Sequence, residues 1–273
     1  VRKELLIVVD NTAGGDLKAD HGLAMLISGG GCSVLFDCGP STATLDGNAR
    51  AVGVSLGEVS AVVLSHGHLD HTGGLPHLAA QRPGLDVFAH PGAFCRRWVG
   101  HPGKPLKDIS CPLTVKGLHD RGGVLHPVRA PEMMQDWLLI SGPVGGPRHG
   151  PDHFIVRKDD EMVVDVFEDE IFALVRGRDG WTLLSGCCHR GLRNTLRAAR
   201  FISRGEPITA IVGGLHLGGA TMSELAETAE LLRQHGSPRL YPCHCSGAEA
   251  VGTLRSLLGA LVQPAAAGMR LEL

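Results

Sequence analysis

Aromatic side chains are scarce in this sequence, at 4% of 273 residues with a single tyrosine, and neither sign of charge is in excess: 26 Lys and Arg stand against 28 Asp and Glu. A formal net charge of -2 gives no electrostatic reason to expect a long polyanion, so nucleic acid is not expected as a partner. No apolar run approaches the roughly 18 residues of a membrane span, and no repeat of solenoid period is present. The opening VRKELLIVVDN has neither the long apolar region nor the small-residue cleavage site of a signal peptide, so the expectation is a cytoplasmic protein without a membrane partner. The eight cysteines include no CxxC pair, and a chain of this length does not need crosslinks, so the thiols are expected to be free and buried. Histidine is the residue in good supply, with fifteen.

A hydrophobic content of 43% supplies a core. Short runs rich in Val, Ile and Leu predict strands: LLIVV, LAMLI, CSVLF, AVVLS and DVFAH, then WLLIS, IFALV, WTLLS, ITAIV and RLYPC. Helical spacing predicts helices over Thr72 to Arg82, Gly191 to Ser203, Ser223 to His235 and Ala248 to Leu261, the third stopped by Gly236. Each half is strand-rich first and then alternates strand with helix. The pattern implies an α+β sandwich: two mixed sheets face to face with helices outside, in one domain over residues 1–273. A Gly- and Pro-dense stretch at about residues 91–153 reads as a loop-rich elaboration covering a site, and SGPVGGPRHGPDHF, with His149 and His153, as a candidate pocket wall.

Three histidines and an aspartate fall within six positions of VVLSHGHLDHTGGL, between a strand and a helix. On such a turn His66 and His68 can point to one side while Asp70 and His71 are carried to the other. Imidazole nitrogen with carboxylate oxygen suits zinc, iron or manganese, and a cation removes the repulsion of so many protonatable groups. Remote segments must complete the shell. WTLLSGCCHRG, ITAIVGGLHLGG and RLYPCHCSGAEA each place a histidine after a strand end, namely His189, His216 and His244. In SVLFDCG, Asp37 is either a turn residue bonding its own backbone or a carboxylate that fixes the tautomer of a ligating imidazole.

SHGHLDHTGGL resembles the HxHxDH signature of the metallo-β-lactamase fold superfamily, and VLFDCG its preceding Asp motif. With SGCCHRGLRNTL, VGGLHLGG, YPCHCSG and DHGLAMLI, the chain is similar to the branch that includes dihydropterin-ribofuranosyl-aminobenzene phosphate synthase and many hydrolases. The resemblance implies the αββα metallo-β-lactamase fold. It also implies that His66, His68, Asp70, His71 and His244 bind one or two divalent ions in a binuclear metal site, with zinc favoured. Two departures bear on the rest of the site. DVFEDEIFALV holds only acids where the superfamily carries a TPGH-like histidine, and Cys187 stands where many members have a bridging Asp. His189 is therefore expected to supply the missing nitrogen, with Cys187 or His216 as contenders.

The resulting expectation is a metallo-hydrolase acting on a small, phosphorylated or ester-type substrate. Metal-bound water ionises near pH ~7, Asp70 orients it, and His216 assists catalysis. The alternatives are a condensing enzyme like the pterin synthase, a redox role for bound iron, and a non-catalytic metal or redox sensor built on Cys187, Cys188 and the CHC around His244. The oligomeric state is left open.

Overall fold

The computed structural model of the protein describes residues 2–147 and 152–273, which leaves His149 outside the described residues. Alternate side chains of a strand point to opposite faces, and Lys3–Val9 shows what that alternation builds. Leu5 and Ile7 enter one apolar cluster while Leu6 and Val8 enter another, so this strand is covered on both sides.

It belongs to a seven-stranded sheet in the order Arg270–Glu272, Lys3–Val9, Ala24–Gly29, Cys32–Phe36, Ala61–Val63, Asp86–Ala89, Val124–Pro127. The pairs are antiparallel as far as Cys32–Phe36 and parallel beyond it. A six-stranded sheet runs Arg239–Pro242, Ile208–Gly213, Trp181–Ser185, Ala173–Arg176, Leu138–Ile140, Glu132–Gln135 and is likewise mixed.

Leu5, Ile7, Met25, Phe36 and Val63 of the first sheet meet Leu138, Ile140, Val175, Leu184 and Val212 of the second in one buried cluster. The outer face of the first sheet is covered by the helices Thr42–Ala51 and Leu75–Gln81 through Leu45, Leu75 and Leu78. That of the second is covered by Leu192–Ile202, Met222–Gln234 and Ala248–Leu258 through Leu196, Leu232 and Leu254. This is the expected αββα sandwich. Each such aliphatic side chain contributes about 1.5–3 kcal/mol by leaving water. A capping box between Thr221 and Glu224 starts the helix Met222–Gln234, and Gly236, at φ 85°, follows its end.

Some elements differ from expectation. The helix expected over Thr72–Arg82 is a short turn, Leu69–Thr72, followed by a separate helix, Leu75–Gln81. Between them Gly73 and Gly74 press against the segment after the third strand, where an added Cβ would stand 2.0 Å from the Pro40 carbonyl oxygen and 2.4 Å from that of Cys38. The last helix stops at Leu258, before Gly259 at φ 64°.

The loop-rich stretch at about 91–153 also carries several short strands. Val124–Pro127 and the pair Glu132–Gln135 and Leu138–Ile140 edge the two large sheets. Arg97–Val99 and Lys107–Asp108 join Phe154–Lys158 and Glu161–Val164 in a four-stranded antiparallel sheet, so the covering element continues to Val164 because the later hairpin pairs back onto Arg97–Val99. Among the described residues all eight cysteines are free, and no helix is long and apolar enough to cross a membrane.

Candidate metal centre

Asp10, Asp37, His66, Cys187, His189, His216 and His244 all lie just beyond the C-terminal ends of strands that run to one rim of the sandwich. Segments far apart in sequence converge there because parallel neighbours in both sheets end together. The ligand atoms of His66, His68 and His189 lie within 4.8 Å of one another, and so do those of Asp70, His71 and His244. The turn thus divides its four polar residues into two pairs, each joined by a histidine from the second sheet. Cys187 groups with His66 and His71, with His189 and His216, and with His244 and Cys245, which puts its sulfur between the two trios.

Buried acids hold this arrangement from behind. Asp37, fully buried at φ 61°, accepts from the Ser65 N–H and hydroxyl at 2.7 Å each, and its Oδ2 lies 2.7 Å from His71 Nδ1. With Nδ1 donating to that carboxylate, His71 Nε2 is directed at the site, 3.2 Å from His244 Nε2 and 3.3 Å from Cys187 Sγ. His244 is oriented the same way: its N–H donates to Asp10 Oδ1 at 2.7 Å, and its Nδ1 lies 2.9 Å from Asn11 Oδ1.

The acids of DVFEDEIFALV support the other trio. Glu170 accepts from the His189 and Arg190 N–H groups at 2.6 Å each, and Asp169 accepts from the Gly67 N–H at 2.8 Å. Arg97, 3% exposed, bridges Asp169 at 2.8 Å and Asp165 at 2.7 Å, tying the small sheet to the histidine-rich turn. A Cβ at Gly67 would lie 2.1 Å from the Ala93 carbonyl oxygen, so only glycine permits this approach.

The electrostatics of the trios are opposite. Burial and the neighbouring imidazoles hold His66 and His189 well below the ordinary histidine value, and burial takes His68 down to about 3. Against burial, Asp37 and Asp70 lift His71 to about 9, while His71 and His244 hold Asp70 well below the usual carboxylate range. Burial raises Glu170 to about 7 and pushes the Cys187 thiol up.

The Nε2 atoms of His66, His68 and His189 are buried without a hydrogen-bond partner among the described residues. Leaving three such acceptors unpaired costs about 1–3 kcal/mol each, a cost that a shared cation removes. The donor set therefore fits a divalent metal: nitrogen lone pairs converge on one point, with carboxylate and imidazole converging beside it.

His216, expected to assist chemistry, stands at the mouth with its ring 4.5 Å from that of His189, and contacts with Cys245 raise it against burial. Asp70, its side chain 20% exposed, reaches the mouth too, 3.4 Å from His21 Nε2. Phe167 stacks on His189 at 4.1 Å and Phe154 on His68 at 5.4 Å, forming an aromatic wall. His153 packs on Phe154 at 4.5 Å. Sequence reading missed Asp10, Asn11, Arg97, Asp165, Asp169, Glu170 and Phe154, whereas Cys245 belongs to the CHC noted around His244. The signal for the acids was present in DVFEDEIFALV, since four carboxylates ahead of a buried strand need partners.

The sequence model described as Metallo-beta-lactamase superfamily matches residues 17–164, and the chain belongs to that superfamily. Over 255 residues, 92% of this chain and 93% of the relative, it is 29% identical to an uncharacterized protein of Methanocaldococcus jannaschii. From the same organism, 7,8-dihydropterin-6-methyl-4-(beta-D-ribofuranosyl)-aminobenzene-5'-phosphate synthase is 25% identical over 243 residues, 85% of this chain and 83% of that one. Among solved structures, Tm1679, a metal-dependent hydrolase of the beta-lactamase superfamily, superposes with a TM-score of 0.84 at 26% identity, covering 99% of each chain.

Proposed function

We propose that this chain is a metal-dependent hydrolase of small phosphorylated or ester-type molecules. The observation that carries the proposal is the convergence of three unpartnered, buried Nε2 atoms, from His66, His68 and His189, beside the carboxylate-bearing trio of Asp70, His71 and His244. In this reading the first trio holds one divalent cation, the second trio holds another, zinc being the favoured metal, and Cys187 stands between them. Such ions supply Lewis acidity toward a carbonyl or phosphoryl oxygen and make water acidic enough to react at neutral pH.

The chain's own residues do the rest. Asp70 reaches the mouth of the site and orients the attacking water. His216, whose affinity for a proton is raised, holds one beside the site and delivers it to the leaving group. Phe154 and Phe167 exclude solvent from one side, which strengthens every polar interaction inside. Asp37 and Asn11 keep the His71 and His244 rings facing inward.

The test is elemental analysis of the purified protein and of His68→Ala, combined with a panel of phosphoesters, thioesters and lactones. The proposal expects bound metal and turnover of at least one ester class, with a lowered metal content and no turnover in His68→Ala. Normal metal content in His68→Ala refutes it. The likeness to the pterin synthase supports a second reading, a condensing reaction on a phosphoribosyl substrate; a protein of that kind binds the metal and leaves the whole panel untouched.

A further inference from the structure

The helix Leu192–Ile202 begins three residues after His189 and turns its outer face away from the metal centre. That face carries Arg193, Arg197 and Arg200, and the chain beyond the helix adds Arg204, all exposed. Spacings of four and three residues put Arg193, Arg197 and Arg200 on one narrow stripe, since 3.6 residues complete a turn, while Arg204 follows the helix end at φ 56°. No carboxylate among the described residues pairs with any of them, whereas eight other described arginines make ion pairs, some with near neighbours and some across the chain. Among the described residues, Arg197 donates only to the Gly145 carbonyl oxygen, at 3.5 Å. A stripe of like charges without counter-charges concentrates anions at its surface.

The surface here is concave. Arg193, Arg197 and Arg200 line a groove of about 470 Å³ whose other walls include Pro147, Leu231 and His235. Arg193 and Arg200 both lie close enough to His235 to add to the effect of its burial in disfavouring its protonation. From Arg193 to Arg200 the helix advances about 10 Å, enough to address two or three phosphates in a row but not an extended strand. Guanidinium groups suit this task because their planar forks donate paired hydrogen bonds to phosphate oxygens. The chain as a whole is slightly acidic, so attraction is confined to the groove and selects a compact anion over a long one.

We infer that this groove binds a compact anion carrying two or more linked phosphates, at a site separate from the metal centre. The site is mechanically continuous with that centre. Asn194 on the same helix donates to the Arg190 carbonyl oxygen at 2.6 Å and to that of Pro147 at 2.9 Å. Arg190 follows His189 directly, and its N–H is held by Glu170 at 2.6 Å. A ligand drawing Arg193 and Arg197 together therefore pulls on the turn that presents His189.

The test is calorimetric titration of the full chain with inorganic tripolyphosphate at low and moderate salt. The wild type is expected to bind one equivalent, weakening as salt rises. His68→Ala, which alters only the metal centre, keeps this binding, whereas the triple variant Arg193→Ala, Arg197→Ala, Arg200→Ala loses it. Arg197→Ala alone weakens it about tenfold, and this decides the matter if the triple variant melts abnormally by circular dichroism. The inference is overturned by unchanged affinity in the groove variants, by loss of binding in His68→Ala alone, by absence of wild-type binding, or by a single-stranded oligonucleotide that binds the groove more tightly than tripolyphosphate.

Discussion

The His66, His68 and His189 trio and the Asp70, His71 and His244 trio sit side by side, yet they are built on different principles. The first consists of neutral imidazoles with buried, vacant lone pairs, kept free of protons by burial and by one another. The second is laced with carboxylates, and its His71 retains a proton to about 9. One half is ready for a cation as folded, whereas the other must exchange a proton for it. Their supports differ as well: the first trio leans on Arg97, Asp165, Asp169 and Glu170 behind the small sheet, the second on Asp10, Asn11 and Asp37 at the first sheet's rim.

The sharpest way to separate the halves is Arg97→Ala, which leaves Asp165 and Asp169 buried without their cation. It is expected to cost about 3–5 kcal/mol in chemical denaturation and to deplete metal from the first trio before the second. Equal depletion of both would break the comparison. Next in size, Asp37→Ala removes the acceptor that orients His71. Metal affinity of the second trio should fall about 10–100-fold in competition with a chelator, and that of the first by less, since Asp37 reaches His66 only through the Ser65 hydroxyl, 2.9 Å from its Nδ1.

A third prediction uses pH. For His71 the folded value is raised to about 9 from the ordinary 6.5, so its stabilising effect in the metal-free protein is complete below 6.5 and disappears as pH climbs through 9. For His66, His68 and His189 the folded values are depressed, so the unfolded chain binds more protons and stability falls as pH drops below about 6.5. Melting of the metal-free protein across pH should show both limbs. His71→Gln should flatten the alkaline limb only, and metal uptake by the second trio should release a proton measurable in buffers of different ionisation enthalpy.

The smallest effect is expected from Phe154→Leu. It keeps the wall apolar, leaves metal content intact and shifts KM on any responsive ester by about threefold, consistent with the modest energy of an aromatic contact.

Much of the frame could be read locally. CSVLF and WTLLS form strands with the bounds their hydrophobic runs suggest, and the helices after Gly191 and before Gly236 follow apolar periodicity. The helix Thr42–Ala51 escaped notice because Gly47 and the buried Asn48 blur its apolar face; Asn48 is satisfied by the Val8 and Lys18 carbonyl oxygens, far away in sequence. The small sheet escaped for a related reason. Phe154–Lys158 pairs with Arg97–Val99 across more than fifty residues, and no periodicity encodes that meeting.

Local patterns were enough to specify the sandwich and to mark the turn as a candidate metal site, because strand alternation, helical spacing and a dense run of histidines are local properties of the chain. Which histidine joins which pair, and that the acids of DVFEDEIFALV stand behind the site, came from the folded arrangement alone. It also showed that three arginines of one helix share a stripe bordering a groove. Those relations depend on where strand ends and helix faces come to rest, and that is fixed by packing between segments that share no local pattern.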